Sequence, residues 1–415
     1  MHPTRRDFLR LSLGTSTLLA CGTSVPTFLA RSASALAASG AANQDNVLVV
    51  LELNGGNDGL NAIIPYRDDE YHKRRPKLCV AQERMHKIDD HVGLHPSLSG
   101  LAKLLDAQQL AIVQSVGYPN PNRSHFESMA IWQSARLRPS ANTPGWLAHS
   151  LDQRPPTTGG DAGALHVGET LLPQALFGSQ RQVPSLVSLE QFRRRVGIAD
   201  AAAAAEQREA LERISGQGRR EPGALLQFIQ RSTMVTYASS ARLEAVRQDQ
   251  TDTAAYPEFG LAQRLKLIAQ LLKAGLTTSI YYTQLPGFDT HANQLVAHAE
   301  LLREVGDSLK AFLDDLNQAG QGKRVLVLVF SEFGRRLAEN ASGGTDHGSA
   351  APVFLLGSRV KAGLHGPYPD LQNLQDGDPE HAIDFRRIYA LVLDHWLKCP
   401  SEKVLGEKFA HLPLL

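Results

Sequence analysis

The chain is 415 residues long, with 43 lysines and arginines against 42 aspartates and glutamates, a formal net charge of +1. Such a balance offers no basic field to draw in a polyanion, which excludes nucleic acid as a partner class. Hydrophobic residues make up 42% of the chain, enough for one large α/β domain or two modest ones, and no internal repeat or clean linker divides it.

Residues 4–10, Thr-Arg-Arg-Asp-Phe-Leu-Arg, read as a twin-arginine export signal, the address of a translocation machinery that carries folded cargo. The stretch from Leu11 to Ala30 is only weakly apolar and is broken by Pro26, so it makes a poor membrane anchor. Ala35-Leu36-Ala37 offers a small-residue cleavage site. The expected organisation is therefore a signal peptide over 1–37 and a mature α/β domain over 38–415. Leu18-Leu19-Ala20-Cys21 resembles a lipoprotein box, but its second position is bulky and the better cleavage site follows, which makes lipidation at Cys21 the lesser alternative. Cleavage removes four arginines and one aspartate and leaves about −2, still close to neutral. No mature stretch is apolar enough to span a bilayer. The expectation is a periplasmic or secreted protein, without stable membrane insertion, whose export partner is the twin-arginine machinery. Cys79 and Cys399 survive cleavage and can pair in an oxidising compartment, although their spacing says nothing of geometry.

Residues 46–53 form a short, continuous, β-branched run ended by Asn54-Gly55-Gly56, the pattern of a buried parallel strand. A helix follows through Leu98, Leu101, Leu104 and Leu105, then a second strand over 110–116. This strand–helix–strand order is a parallel crossover unit. From about Arg154 to Asp252 the pattern changes to Pro/Gly turns, an alanine run over 201–205 and a helix near 225–231. That segment reads as an inserted, mainly helical cap. The α/β alternation then returns: a helix over 261–274, a strand over 276–282, a long helix over 295–316, the clearest strand at 324–330, another at 352–356, and a closing helix over 384–397. The fold class is α/β, a three-layer α/β/α sandwich on a mostly parallel sheet.

Five short clusters carry the chemistry, and ligand crevices of such sheets lie at the carboxyl ends of the strands. In Gly55-Gly56-Asn57-Asp58-Gly59, Asp58 either binds a cation or belongs to an Asn/Asp/Gly turn; the glycines lack the spacing of a dinucleotide loop. In Arg123-Ser124-His125-Phe126-Glu127, a serine between an arginine and an imidazole suits attack on a phosphoryl or sulfuryl group, with the guanidinium holding the anion. Ser124 and Glu127 also spell a capping box, and a nucleophile at a helix N-terminus gains from the dipole. Asp289 and His291 share one side of an extended segment and offer one oxygen and one nitrogen ligand; a helix cap is the competing role, and His298 reads as a surface residue. Glu332 ends the strongest strand, to be neutralised by Arg335, Arg336 or a metal. Asp346 and His347 lie in a glycine-rich loop that permits close approach to a ligand.

Together and in this order, the leader, Leu53-Asn54-Gly55-Gly56-Asn57-Asp58-Gly59-Leu60-Asn61, Ser124-His125-Phe126-Glu127, Phe288-Asp289-Thr290-His291, Ser331-Glu332-Phe333-Gly334-Arg335 and Gly344-Thr345-Asp346-His347-Gly348 resemble the exported family called domain of unknown function 1501. More distantly the arrangement is similar to the alkaline phosphatase and sulfatase superfamily. That resemblance implies an alkaline phosphatase-like domain that hydrolyses phosphate or sulfate esters. It implies one or two divalent cations (Zn, Mn, Fe, Mg or Ca), one helped by Asp58 and Glu332 and another by Asp289, His291 and His347, with Asp346 beside the last. Ser124 becomes the nucleophile and Arg123 the group that orients the anion. The sequence departs from the superfamily pattern: its strongest strand ends in Ser331-Glu332-Phe333, the Asp-His pair comes later in a loop, and no cysteine stands at position 124. The alternative expectation is a non-catalytic exported binding or assembly protein on the same fold. An oxidoreductase with a large cofactor ranks last, for want of a nucleotide fingerprint.

Overall fold

The computed structural model describes residues 45–155, 161–181, 183–187 and 254–415. The leader, Cys21, the cleavage site near Ala37 and the helices expected around 201–205 and 225–231 lie outside the described residues.

A nine-stranded sheet forms the middle layer. Its strands are β1 (Val47–Asn54), β2 (Leu110–Gly117), β3 (Ala164–Val167), β4 (Ser185–Leu186), β5 (Ile280–Pro286), β6 (Val325–Phe330) and, after a hairpin of β7 (Arg335–Glu339) and β8 (Thr345–His347), β9 (Ala351–Leu356), β10 (Gly363–His365) and β11 (Ile383–Asp384). The spatial order is β10-β2-β9-β6-β1-β5-β3-β4, with β11 also paired to β2. Every pairing is parallel except those of β9, which runs antiparallel to both β2 and β6. Because β9 reverses direction twice over, β2 points the same way as β6, β1 and β5. Four carboxyl ends therefore open on one edge of the sheet.

The helices follow from the same patterning. Those of six residues or more among the described residues are α1 (Asp69–Arg74), α2 (Ser99–Asp106), α3 (His125–Ser134), α4 (Trp146–Asp152), α5 (Gly260–Lys273), α6 (Gln294–Gln318) and α7 (Arg386–Leu391), the last continued by a π turn over Val392–Trp396. Successive β1 side chains point to opposite faces. Val47, Val49, Leu51 and Leu53 join one core with α2, α5 and α6, while Leu48 and Val50 join a second core with α3, α4 and α7. On α6 the stripe Leu302, Val305, Leu309, Phe312 and Leu316, spaced by three and four, is buried against the sheet. Trp132 of α3 stacks between Phe330 and Phe385, with ring centroids 5.1 and 4.3 Å away. Truncating a buried tryptophan to alanine costs about 3–5 kcal/mol, so this contact fixes the angle at which α3 presents its first residue, His125.

Three expectations change and one gains detail. The segment expected to leave the sheet at about Arg154 instead contributes β3 and β4, whose residues 164–167 are fully buried beside β5. The runs are too short to stand out as strands by pattern. The crossover from β1 through α2 to β2 is real, but β6 and β9 lie between the two strands. Cys79 and Cys399 are both free thiols; Cys79 packs beside a separate small cluster around Tyr71, Cys399 inside the second core. His298 is buried, because α6 turns it toward Asn57, whose side-chain oxygen lies 2.9 Å from its Nε2. Among the described residues no helix is long and apolar enough to cross a membrane.

Candidate metal centre

The loops after β1, β5 and β6 meet because these three strands are neighbours, and the hairpin β7–β8 folds back over them. Gly55 makes the approach possible. Its φ of +121° is open to glycine, and a Cβ there would stand 2.4 Å from the Asp289 backbone nitrogen. Gly344 does the same for the hairpin, where a Cβ would lie 2.3 Å from the His291 carbonyl carbon. Arg335, wholly buried, fastens the three loops. It donates to the carbonyls of Gly55, Gly56 (2.7 Å), Thr345 (2.8 Å) and Phe288 (3.2 Å) and to Asp289 Oδ1 (2.7 Å).

Three imidazoles surround Asp289 Oδ1. The Nε2 atoms of His291, His347 and His125 lie 3.0, 3.1 and 3.5 Å from it. The Nε2 atoms of His291 and His347 are 2.9 Å apart. Each ring turns its other nitrogen to an oxygen. His125 Nδ1 meets Glu332 Oε1 at 2.8 Å, His347 Nδ1 the Arg123 carbonyl at 2.8 Å, and His291 Nδ1 reaches Asp346 Oδ1 at a longer 3.4 Å. Carbonyl and carboxylate oxygens only accept, so the ring proton belongs on Nδ1 and the Nε2 lone pair is left facing the centre.

Three such lone pairs and a carboxylate oxygen repel one another unless a cation joins them. Protonating every Nε2 instead sets three imidazoliums side by side. His125 Nε2 is buried with no hydrogen-bond partner, and His125, Asp289 and His347 each present a ligand atom within 4.8 Å of the others. This compact set of two nitrogens and one oxygen, with the His291 Nε2 beside His347 and the outer nitrogens facing acceptors, fits a divalent transition metal.

Charge is arranged to match. Burial raises the Asp289 carboxyl, but the surrounding groups, the hydrogen bond and charge of Arg335 foremost, outweigh it and hold the group at about 2. The Glu332 hydrogen bond raises the His125 imidazole against the opposing effect of burial. Glu332 is fully buried and also accepts from the Gly55 N–H at 2.9 Å.

The structure keeps Asp289, His291 and His347 of the expected ligands together and redistributes the rest. Glu332 and Asp346 stand one step out, orienting His125 and His291. Asp58 is not at the centre. It is fully buried, bonded to Arg75 at 2.6 Å and to Gln294, and despite burial the Arg75 charge holds its carboxyl below the ordinary value. Arg335, expected beside Glu332, pairs with Asp289. Ser124 precedes α3 at the N-cap position with an exposed side chain that makes no capping hydrogen bond, so the capping box is not formed. The Arg123 guanidinium is directed at Asp378, whose side chain is 1% exposed; it does not face the imidazoles. In the sequence His125 stands out only as a flank of Ser124; the signal for its role is its place as the first residue of a helix after a strand-end loop. Glu52 carried no signal, since its run reads as plain strand. It is buried among Tyr282, Gln133, Gln284 and Asn54, and burial raises its carboxyl.

Residues 45–395 match the family described as Protein of unknown function (DUF1501), and the chain belongs to that family. No curated protein matches it in sequence. Among solved structures it is similar to a protein in the alkaline phosphatase superfamily from Vibrio parahaemolyticus, at 9% identity and TM-score 0.37 over 79% of this chain and 64% of that one. The chain thus spans just under two thirds of that relative. It is also similar to the PsFucS1 sulfatase from Pseudoalteromonas sp., at 13% identity and TM-score 0.37 over 93% and 74% of the two chains. A third is the C-terminal periplasmic domain of EcEptC from Escherichia coli, at 10% identity and TM-score 0.33 over 76% and 74%.

Proposed function

We propose that this member of the family is an exported, metal-dependent hydrolase of phosphate or sulfate esters, with one divalent cation held by His125, Asp289, His291 and His347. The observation that carries the reading is the shared orientation of the three imidazoles, each with Nδ1 at an acceptor and Nε2 at Asp289 Oδ1. A divalent cation in such a site supplies Lewis acidity toward an ester oxygen. The chain's own residues do the rest. Ser124 presents a free hydroxyl at the first turn of α3, next to His125, where the helix N-terminus favours negative charge. Its attack forms an Oγ–P or Oγ–S bond as the ester alcohol leaves with a proton, and water then hydrolyses the serine ester. Arg123 contributes through its carbonyl, which fixes the His347 ring, while its side chain stays with Asp378.

One observation favours the non-catalytic binding protein as the second reading. The positions a two-cation clamp and an anion fork require, Asp58 and Arg123, are neutralised internally by Arg75 and Asp378. The discriminating experiment is metal content of the full chain purified without chelator, with Asp289→Ala and His347→Ala alongside, followed by turnover of p-nitrophenyl phosphate and sulfate. Stoichiometric metal lost in both variants, with turnover abolished in Ser124→Ala, supports the hydrolase. Metal without turnover moves the reading to the binding protein, and no metal in the native chain overturns both the centre and the hydrolase.

A further inference from the structure

A second set of imidazoles lies at the other end of the sheet. Trp396 donates its indole N–H to the carbonyl of Val47, the first residue of β1. The π turn Val392–Trp396 therefore sits at the amino end of β1, whereas the centre above sits past its carboxyl end. Eight strand residues separate the two by about 25 Å. Asp394 and His395 project from this turn, and His411 comes from the C-terminal segment. That segment is pinned by the fully buried Leu414, by the Lys361 N–H donating to the Leu414 carbonyl at 2.8 Å, and by Arg387 donating to the Ala410 carbonyl at 3.0 Å.

The Asp394 carboxylate takes the Ser401 N–H at 2.8 Å, the Ser401 hydroxyl at 2.7 Å and His411 Nε2 at 2.8 Å. A carboxylate in that position fixes the proton of His411 on Nε2 and leaves the lone pair on Nδ1. His411 Nδ1 lies 3.1 Å from His395 Nε2, with the ring planes at 90°. Two nitrogens on one metal at about 2.0–2.1 Å lie about 2.9 Å apart at a right angle and about 3.4 Å apart at the tetrahedral angle; the observed separation falls between. A carboxylate behind a ligating imidazole is the usual outer partner of a metal site. Both rings are exposed, so water can fill the remaining positions.

We infer that His395 Nε2 and His411 Nδ1 chelate a divalent transition metal of the Zn, Ni or Cu class, with Asp394 as the positioning residue for His411. Two nitrogen donors and no thiolate select these ions over Mg or Ca. The site is independent of the proposed hydrolase.

The test is equilibrium dialysis of the metal-stripped full chain against Zn²⁺, on an Asp289→Ala/His347→Ala background that empties the first centre. The background chain is expected to retain one weaker equivalent, His395→Ala and His411→Ala each to lose it, and Asp394→Asn to weaken it about tenfold. Circular dichroism confirms the fold of each variant. If the background chain does not fold, the wild-type chain is compared with His395→Ala, an exposed substitution, which is expected to lose one weak equivalent and keep the tight one. No zinc on the folded background chain, or binding unchanged by His395→Ala, overturns the inference and reduces the pair to a structural hydrogen bond.

Discussion

Glu332→Gln separates charge from shape at the first centre. The glutamine carbonyl can take the place of Oε1, which accepts from the Gly55 N–H at 2.9 Å and from His125 Nδ1 at 2.8 Å. Its amide nitrogen then faces Ser331 Oγ, 3.0 Å from Oε2 in the native chain. That hydroxyl has its proton available for the Leu53 carbonyl at 2.6 Å, so it can accept from the amide. Every buried polar group keeps a partner, and the fold is expected to shift by less than about 1 kcal/mol. What disappears is the negative charge behind His125. Outer carboxylates of this kind typically contribute about 10- to 100-fold in metal affinity, or about 1.4–2.7 kcal/mol. The assay is titration of the stripped chain with Zn²⁺ against a chromophoric chelator, with the thermal midpoint followed in parallel. In the metal-free chain the His125 imidazole should also fall toward its ordinary value, since the Glu332 hydrogen bond is the largest cause raising it; the ring protons report this by NMR. A folded variant whose zinc affinity stays within about twofold of wild type would refute the orienting role of Glu332.

Other tests address separate parts of the structure. Asp346→Asn should weaken zinc less than Glu332→Gln, because its contact to His291 is longer, 3.4 against 2.8 Å; the same titration ranks the two, and the reverse order contradicts the geometry. Arg75→Met leaves Asp58 buried without its cation and should cost about 3–5 kcal/mol in chemical denaturation; a cost under about 1 kcal/mol would mean that the pair is not desolvated. His298 is 2% exposed, and burial lowers its imidazole from 6.5 to about 4. The folded chain then binds fewer protons than the unfolded between those values, so stability falls as pH drops from about 6.5 to 4. The full effect is about 3 kcal/mol, and His298→Gln should flatten that part of the pH profile by about one proton. An unchanged profile would show that another group carries it.

Strand ends were legible in the sequence because the continuous apolar runs of β1, β2 and β6 stop at Gly, Ser and Asn. Those ends point to convergence of the clusters at one edge of the sheet, while the grouping of Asp289, His291 and His347 on one cation comes from the resemblance. The step from strand end to ligand was less legible. His125 and Glu332 form one unit, yet 207 residues separate them and only the sheet order β2-β9-β6 and the angle of α3 bring them together. Asp58 misled because a carboxylate near a strand end looks alike whether its partner is a metal or a guanidinium. Its partner Arg75 sits at the end of a short helix among Arg74 and Lys73, which are exposed, and nothing local marks it as the one that turns inward. His298 misled for the opposite reason: on a long helix its position relative to the buried stripe depends on where the loop after β1 lies.

The two buried arginines decide the number of metals. Arg75 and Arg335 are each fully buried and each bonded to a carboxylate, Asp58 at 2.6 Å and Asp289 at 2.7 Å. Asp58 is thereby neutralised, and a second divalent ion beside it would face a guanidinium with no free carboxylate to offset the repulsion. Asp58 Oδ1 is also unpartnered, but Asp289 is different, because its side chain is half exposed and three imidazoles turn Nε2 toward it, adding nitrogen donors that Asp58 lacks. The same electrostatics that admits one cation at Asp289 excludes another at Asp58. The expected result is one tight equivalent of metal per chain, unchanged in Asp58→Asn and lost in Asp289→Ala, read by metal analysis after exhaustive dialysis. Two tight equivalents, one of them removed by Asp58→Asn, would show that Arg75 moves aside and that the two-cation arrangement expected from resemblance is the correct one.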